Sequence, residues 1–316
     1  MNNTQQLLQT AGLALSPMGA ASVVMHATPD FVEHPGNVLL AARLAALLHP
    51  DGAVIAAGTM DLMRSMVKAG RLAELPPATI WAELSLALAD PGGDEAGYKP
   101  SWYFKTLHEC GALAALLPEL AALDGVPQRA EYHPEVDTLV HTLMCVDQAV
   151  LHGYGLEVRA AALLHDLGKG ITPKSELPRH HQHEERGVPL VEAVCDRLQA
   201  PVRIRDLAVA VTRDHLNVHR AEELGYDKLH DLLGRLQAFD DAEFFSLALA
   251  TCLCDARGRL GLEDRPYPFA DRLRLARSVA LTVGDAGDDL RRRRIDHLRV
   301  VMPPRQLNTH LKSAAK

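Results

Sequence analysis

Aromatic side chains are scarce in this sequence: six Phe, six Tyr and two Trp make up 4% of its residues. Strands favour aromatic and β-branched residues, so a sheet-dominated fold is not expected. No Lys or Arg precedes Arg43, and the basic opening of a secretory signal is therefore missing. Long apolar runs are missing too. The stretch from Leu39 to Ala57 is interrupted by Arg43, His49, Pro50 and Asp51, which excludes a membrane span. The five cysteines (Cys110, Cys145, Cys195, Cys252 and Cys254) are odd in number and sit in apolar patterns. They read as buried reduced thiols, not as a disulfide framework. Cys252 and Cys254 form a C-x-C pair with no second pair to close a zinc site. Positive charge is not in excess either, the net charge being −7. That excludes nucleic-acid binding by bulk charge alone, though not by a local basic patch. A cytoplasmic protein with no membrane association is the expectation.

What is present is a 316-residue chain, 47% hydrophobic and 23% charged, an ordinary globular composition long enough for two structural units. Ala and Leu dominate its apolar positions, as in helices. Residues 1–28 are rich in Ala, Gln and Thr with weak periodicity. Helical patterns then run Gly36–Leu48, Thr59–Ala69, Pro77–Ala89, Ser101–Cys110 and Ala112–Ala122. Turn residues such as His49-Pro50-Asp51-Gly52, Pro91-Gly92-Gly93 and Asp124-Gly125 punctuate them. The polar stretch Pro127–Pro134 reads as the boundary between the units. Beyond it Asp137 or Thr138 can cap a helix reaching Gly153. Further helical stretches are Leu156–Leu167, Glu184–Leu198, one from Pro201 towards His215, Asp241–Arg257 and one carrying Arg291 to Arg294. Strand-like fragments such as Ala53–Ala57 are too isolated to make a sheet. The predicted fold class is all-α.

Histidine is the unusual entry. Eight of sixteen (His141, His152, His165, His180, His181, His183, His215 and His219) fall within residues 141–219, one quarter of the chain. Among them stands Leu164-His165-Asp166-Leu167-Gly168-Lys169-Gly170. An adjacent His and Asp at a helix end can both reach one divalent ion, since imidazole and carboxylate are common ligands. Lys169 adds a cation where a phosphate oxygen could sit. His141 and Asp255 are polar residues within apolar helical patterns, a costly placement unless they are paired or coordinated. They are the further ligands expected, with His183 and His215 near helix ends. His152, His180, His181 and His219 read as surface or supporting residues.

The order His, His-Asp, Asp resembles the HD metal-dependent phosphohydrolases. In detail, Glu131-Tyr132-His133-Pro134-Glu135-Val136-Asp137-Thr138 leading to His141-Thr142-Leu143-Met144 resembles the HD region of bacterial CCA-adding enzymes, the tRNA nucleotidyltransferases. So do Arg205-Asp206-Leu207-Ala208 and Cys254-Asp255-Ala256-Arg257-Gly258-Arg259. Phe31-Val32-Glu33-His34-Pro35 and Glu109-Cys110-Gly111-Ala112-Leu113-Ala114 resemble that family's helical neck. The resemblance implies a remnant N-terminal segment (1–28), a helical neck-like domain (29–130), an HD phosphohydrolase domain (131–262) and a C-terminal helical tail (263–316). It further implies a divalent ion such as Mg, Mn or Ni held by His141, His165, Asp166 and Asp255. His183, His215 and Arg257 would serve a second ion or substrate phosphate, and Asp166, Lys169 and His183 would take part in the chemistry. The implied substrates are nucleotide or RNA-end phosphoesters, with phosphatase or 2′,3′-cyclic phosphodiesterase activity.

Two departures from that family stand out. No Gly-rich nucleotide loop with paired aspartates lies before Pro29, where the family carries its catalytic head. The neck element that reads the incoming nucleotide, Glu-Asp-x-x-Arg, is replaced by Glu33-His34-Pro35-Gly36-Asn37. Nucleotide addition by this chain is therefore not expected. The rival readings are a non-catalytic tRNA- or RNA-binding module using Arg272, Arg274, Arg277 and Arg291 to Arg294, and a partner subunit that borrows a separate head. Asp285, Asp288, Asp289 and Asp296 dilute the arginine run, which favours a solvated helix face.

Overall fold

The computed structural model describes residues 3–18, 22–89, 97–285 and 288–302. Helix α1 (Asn3–Thr10) is followed by strands β1 (Leu13–Met18) and β2 (Ser22–Ala27). These pair antiparallel, Leu13 opposite Ala27, and β3 (Val54–Ile55) joins β2 in parallel. The small sheet corrects the expectation that the strand-like fragments stand alone. Val54 meets Val24 across thirty positions of sequence, a pairing invisible to any local pattern. Pro91-Gly92-Gly93 and the tail from residue 303 lie outside the described residues.

Among the described residues the remaining named elements are helical. The first group comprises α2 (Asn37–Leu48), α3 (Ala57–Lys68), α4 (Pro77–Leu88), α5 (Pro100–Glu109), α6 (Ala112–Leu116) and α7 (Pro118–Ala121). The single helix expected over Ala112–Ala122 is broken into α6 and α7. Pro118 lacks an N–H and disfavours helical backbone at Leu117, which sits at φ −133° and ψ 64°. The second group comprises α8 (Thr138–Leu151), α9 (Leu156–Leu164), α10 (His183–Leu198), α11 (Val202–His219), α12 (Tyr226–Arg235), α13 (Ala242–Arg257), α14 (Pro268–Leu281) and α15 (Leu290–Val301). Asp137 caps α8 by accepting from the Val140 amide, and Asp241 does the same for α13 through Phe244.

One hydrophobic cluster runs from Leu8 to Met302 and crosses the boundary read at Pro127–Pro134 without a break. Arg159 on α9, 3% exposed, reaches across it. Its Nη1 donates to the Leu88 carbonyl at the end of α4 and its Nε to the Tyr154 carbonyl. A helix C-terminus presents unsatisfied carbonyls, so a buried guanidinium is well placed there. The five cysteines are all buried and unpaired. Among the described residues no helix is long and apolar enough to cross a membrane.

Candidate metal centre

Five helices and one turn converge on a buried polar centre. Helix α8 carries His141 one turn from its cap, and α9 ends at Leu164 with His165 and Asp166 following. A short 3-10 turn, Leu167–Ile171, holds Lys169. His183 opens α10, while α11 contributes His215 and α13 contributes Asp255. His141, His165 and Asp166 have no exposed surface, and His215, Asp255, His183 and Lys169 are all buried.

Gly168 and Gly258 allow the elements this close. A Cβ on Gly168 would stand 1.9 Å from the His183 carbonyl oxygen and 2.7 Å from the Gly187 nitrogen. One on Gly258 would stand 2.7 Å from the Cys145 nitrogen. Gly168 thus serves as a contact point for α10; the helix expected to run on to Leu167 has already ended at Leu164.

Hydrogen bonding fixes the histidine tautomers. A carbonyl oxygen only accepts, so a ring nitrogen bonded to one carries the hydrogen. His141 Nδ1 donates to the Gly258 carbonyl (2.9 Å), His165 Nδ1 to Ala162 (2.8 Å) and His183 Nδ1 to His180 (2.8 Å). His215 Nδ1 is shared between the Val211 and Thr212 carbonyls. All four rings therefore present Nε2 to the centre, the orientation typical of metal-binding histidines. His141 Nε2 lies 3.1 Å from Asp255 Oδ1, and His165 Nε2 lies 3.3 Å from Asp166 Oδ2. On the other side His183 Nε2 faces His215 Nε2 at 3.2 Å and Asp166 Oδ1 at 3.4 Å. Two nitrogen lone pairs this close, beside a carboxylate, are complementary to a cation.

The donor set fits a divalent ion. His165 Nε2 and Asp166 Oδ1 are fully buried with no hydrogen-bond partner, an expensive arrangement without something to coordinate. His141, Cys145, His165 and Asp255 place one donor atom each within 4.8 Å of one another, as do Asp166, His183 and His215. Asp166 lies between the two groups, with Oδ2 towards the first and Oδ1 towards the second.

The electrostatics agree. Burial opposes charge on Asp166, but His165 and Lys169 overcome it and hold the carboxyl well below its usual range. Burial is likewise overcome at Asp255 by His219, Arg259 and His141. Burial lowers the His165 pKa, yet the Asp166 and Asp255 carboxylates bring the net shift upwards. His215 is kept neutral, chiefly by burial.

Six of the residues singled out from sequence meet here (His141, His165, Asp166, His183, His215 and Asp255), and Lys169 donates to Asp166 Oδ2 and Gln128 Oε1, both at 2.6 Å. Arg257 does not join them. Its guanidinium reaches His152 and the Arg265 carbonyl, because the chain turns at Gly258. Arg259 comes in instead, 3.3 Å from Asp255 Oδ1. His219, read from sequence as a surface or supporting residue, donates from Nε2 to Asp255 Oδ2 while Tyr267 holds its Nδ1; Arg259 was passed over. Cys145 and Glu135 were passed over as well; the Glu135 carboxylate lies 3.1 Å from His141 Nδ1 and 3.0 Å from His133 Nδ1. Cys145 and Arg259 each stand four residues after a residue that had been singled out. The i, i+4 neighbourhood of a helix was the available signal.

The HD domain family model matches residues 138–256. The multifunctional CCA protein of Cupriavidus metallidurans is 48% identical over 281 residues, 87% of this chain and 66% of that protein. Those of Burkholderia cenocepacia (48% over 267 residues, 84% and 62%) and Burkholderia mallei (47% over 281 residues, 87% and 66%) are similar. The chain thus spans somewhat less than two thirds of the length of these relatives. Residues 138–256 form an HD domain, carried in a chain that is homologous to the multifunctional CCA proteins.

Proposed function

We propose that this protein is a metal-dependent phosphohydrolase acting on nucleotide or RNA-end phosphoesters, of the phosphatase or 2′,3′-cyclic phosphodiesterase type. The observation that carries the reading is the set of four buried imidazoles, each turned by a backbone carbonyl so that Nε2 faces Asp166 or Asp255. His141, His165, Asp166 and Asp255 hold a divalent ion, and Asp166, His183 and His215 offer a second position. A bound ion supplies Lewis acidity towards water and a phosphoryl oxygen.

The protein's own groups do the rest. Asp166 stays ionised and orients what lies between its two oxygens. Lys169 Nζ and Arg259 Nη2, on opposite carboxylates, stabilise negative charge developing on phosphoryl oxygens; Arg259 takes the place expected of Arg257. With no ion at the second position, His183, braced at Nδ1, accepts or returns a proton at Nε2. The ends of α8, α10 and α13 close around the centre and keep bulk water out.

The arginine run gives less support to an RNA-binding module. Arg291 pairs with Asp231, Arg292 with Asp296 and Arg294 with Asp285, and Arg294 also lies over the Phe239 ring. Nucleotide addition lies outside the proposal, because Glu33-His34-Pro35-Gly36-Asn37 stands where the family's nucleotide-reading element belongs. The test is a panel of 2′,3′-cyclic nucleotides and phosphomonoesters, assayed with added divalent ions and after chelation. His165→Ala and Asp166→Ala should each lower turnover about 100-fold or more. Metal-dependent turnover unchanged in both variants would refute the reading.

A further inference from the structure

Gln128 lies in the segment between α7 and α8, is 4% exposed, and has its backbone held on both sides. Its N–H donates to the Val136 carbonyl at 2.7 Å, and the preceding Pro127 carbonyl accepts from His180 Nε2 at 3.1 Å. The side chain reaches Lys169, whose Nζ donates to Oε1 at 2.6 Å. A lysine ammonium only donates, so this contact settles which end of the amide faces it. Nε2, on the same amide, is then a donor with two hydrogens. It is fully buried and has no hydrogen-bond partner among the described residues. Such a group is costly to leave unmade, and native proteins rarely keep one without a ligand or water to satisfy it. Lys169 also has a donor to spare: of the three hydrogens on an ammonium, Asp166 Oδ2 and Gln128 Oε1 take two. Donors in excess of acceptors are complementary to an oxyanion, and a phosphoryl group brings several acceptor oxygens.

We propose that Gln128 is a substrate-binding residue, its Nε2 donating to a non-bridging oxygen of the phosphoryl group while its Oε1 holds Lys169 beside the same group. The inference rests on the phosphohydrolase reading and adds to it a neutral donor that grips phosphate without bringing further charge to the centre. Both contacts use one planar amide, so the lysine and the phosphate are held in register with each other. The backbone bonds on either side of Gln128 set that amide in place before substrate arrives, which lowers the ordering cost of binding.

The direct test is a crystal structure of the manganese-loaded full chain with inorganic phosphate. A phosphate oxygen within about 3.2 Å of Gln128 Nε2 is expected. Phosphate bound at the centre while only water meets Nε2 would overturn the inference. In solution, calorimetric titration of phosphate into the same manganese-loaded form reads the affinity. Gln128→Met, close to glutamine in size, should weaken phosphate binding about tenfold. Gln128→Glu should weaken it at least as much, although this variant keeps an acceptor for Lys169 and should melt no lower than the wild type. Wild-type phosphate affinity in Gln128→Glu would make Gln128 a strut for Lys169 and nothing more. Manganese affinity should not fall in either variant; a parallel fall in both affinities would count against the contact. Should both variants fail to fold, the wild-type crystal structure still decides. A wild type that takes up manganese but no phosphate would instead bring down the phosphohydrolase reading, a distinct outcome.

Discussion

Replacing Gly168 by alanine tests whether the close approach of α10 to the His-Asp turn sets the geometry of the centre. The new Cβ would fall 1.9 Å from the His183 carbonyl oxygen, whereas an ordinary carbon–oxygen contact needs about 3.3 Å. Roughly 1.4 Å of movement is therefore required. The Gly187 nitrogen, 2.7 Å away, blocks escape in the other direction along α10. Backbone cannot yield as a side-chain tip can, so the first turn of α10 must shift and carry His183 with it. Overpacking of this kind costs about 1–3 kcal/mol. A displacement near 1 Å at a reacting group is enough for a loss of about 100-fold in rate. Thermal unfolding followed by circular dichroism measures the first effect, and initial rates on a phosphoester with saturating metal measure the second. Gly234 in α12 meets nothing within 4 Å, and Gly234→Ala should be neutral or stabilising by up to about 1 kcal/mol. A Gly168→Ala protein with wild-type stability and turnover would show that the approach is not what positions His183.

Three further outcomes follow from the same coordinates. Glu135→Gln removes the carboxylate beside His141 Nδ1 and should weaken metal binding about 10- to 100-fold while leaving the fold intact, as read by calorimetric titration. Glu119 and Arg197 make a two-pronged pair at 2.6 and 2.8 Å, and against the cost of burial the guanidinium lowers the Glu119 pKa. A carboxyl with a depressed folded pKa stabilises the protein above its unfolded value of about 4.3 and loses that contribution as pH falls through the folded one. Glu119→Gln should therefore cost about 0.5–1 kcal/mol at neutral pH, and urea melts should show the gap closing in acid; a gap independent of pH would contradict this. Phe104, fully buried among the helices of the first group, should cost about 3–5 kcal/mol when replaced by alanine, read as a shifted denaturation midpoint.

Much of the centre was legible before any coordinates. His141, His165, Asp166 and Asp255 stand out because polar residues in apolar helical patterns need partners. Asp137 and Asp241 announce their helices through a short-range capping rule. The residues that escaped notice did so for two physical reasons. Cys145 and Arg259 have bland alternatives when read singly, and only their four-residue offset from a ligand candidate marks them. Glu135 lies in a turn without periodicity, and its link to His141 is set by where the chain folds back. Arg257 illustrates the opposite error. The family resemblance implied a place for it at the site, but residues two apart on a helix point in different directions, and Arg257 faces away from Asp255. The sheet was missed on two counts: β1 and β2 pair locally within residues 1–28, a stretch read as weakly periodic, and β3 is two residues long with its partner far away in sequence.

The Arg159 bridge carries a mechanical consequence. Its guanidinium is buried where α9 meets the end of α4, and Leu84 and Leu88 line a common small space with Leu163, Leu164, Val194 and Leu198. A joint of this kind behaves as a mortise, not a hinge. Force applied to the helices before residue 130 is passed along α9 to His165 and Asp166, which sit at its end. A change in the packing of the first helical group is therefore expected to be felt at the end of α9, where His165 and Asp166 sit.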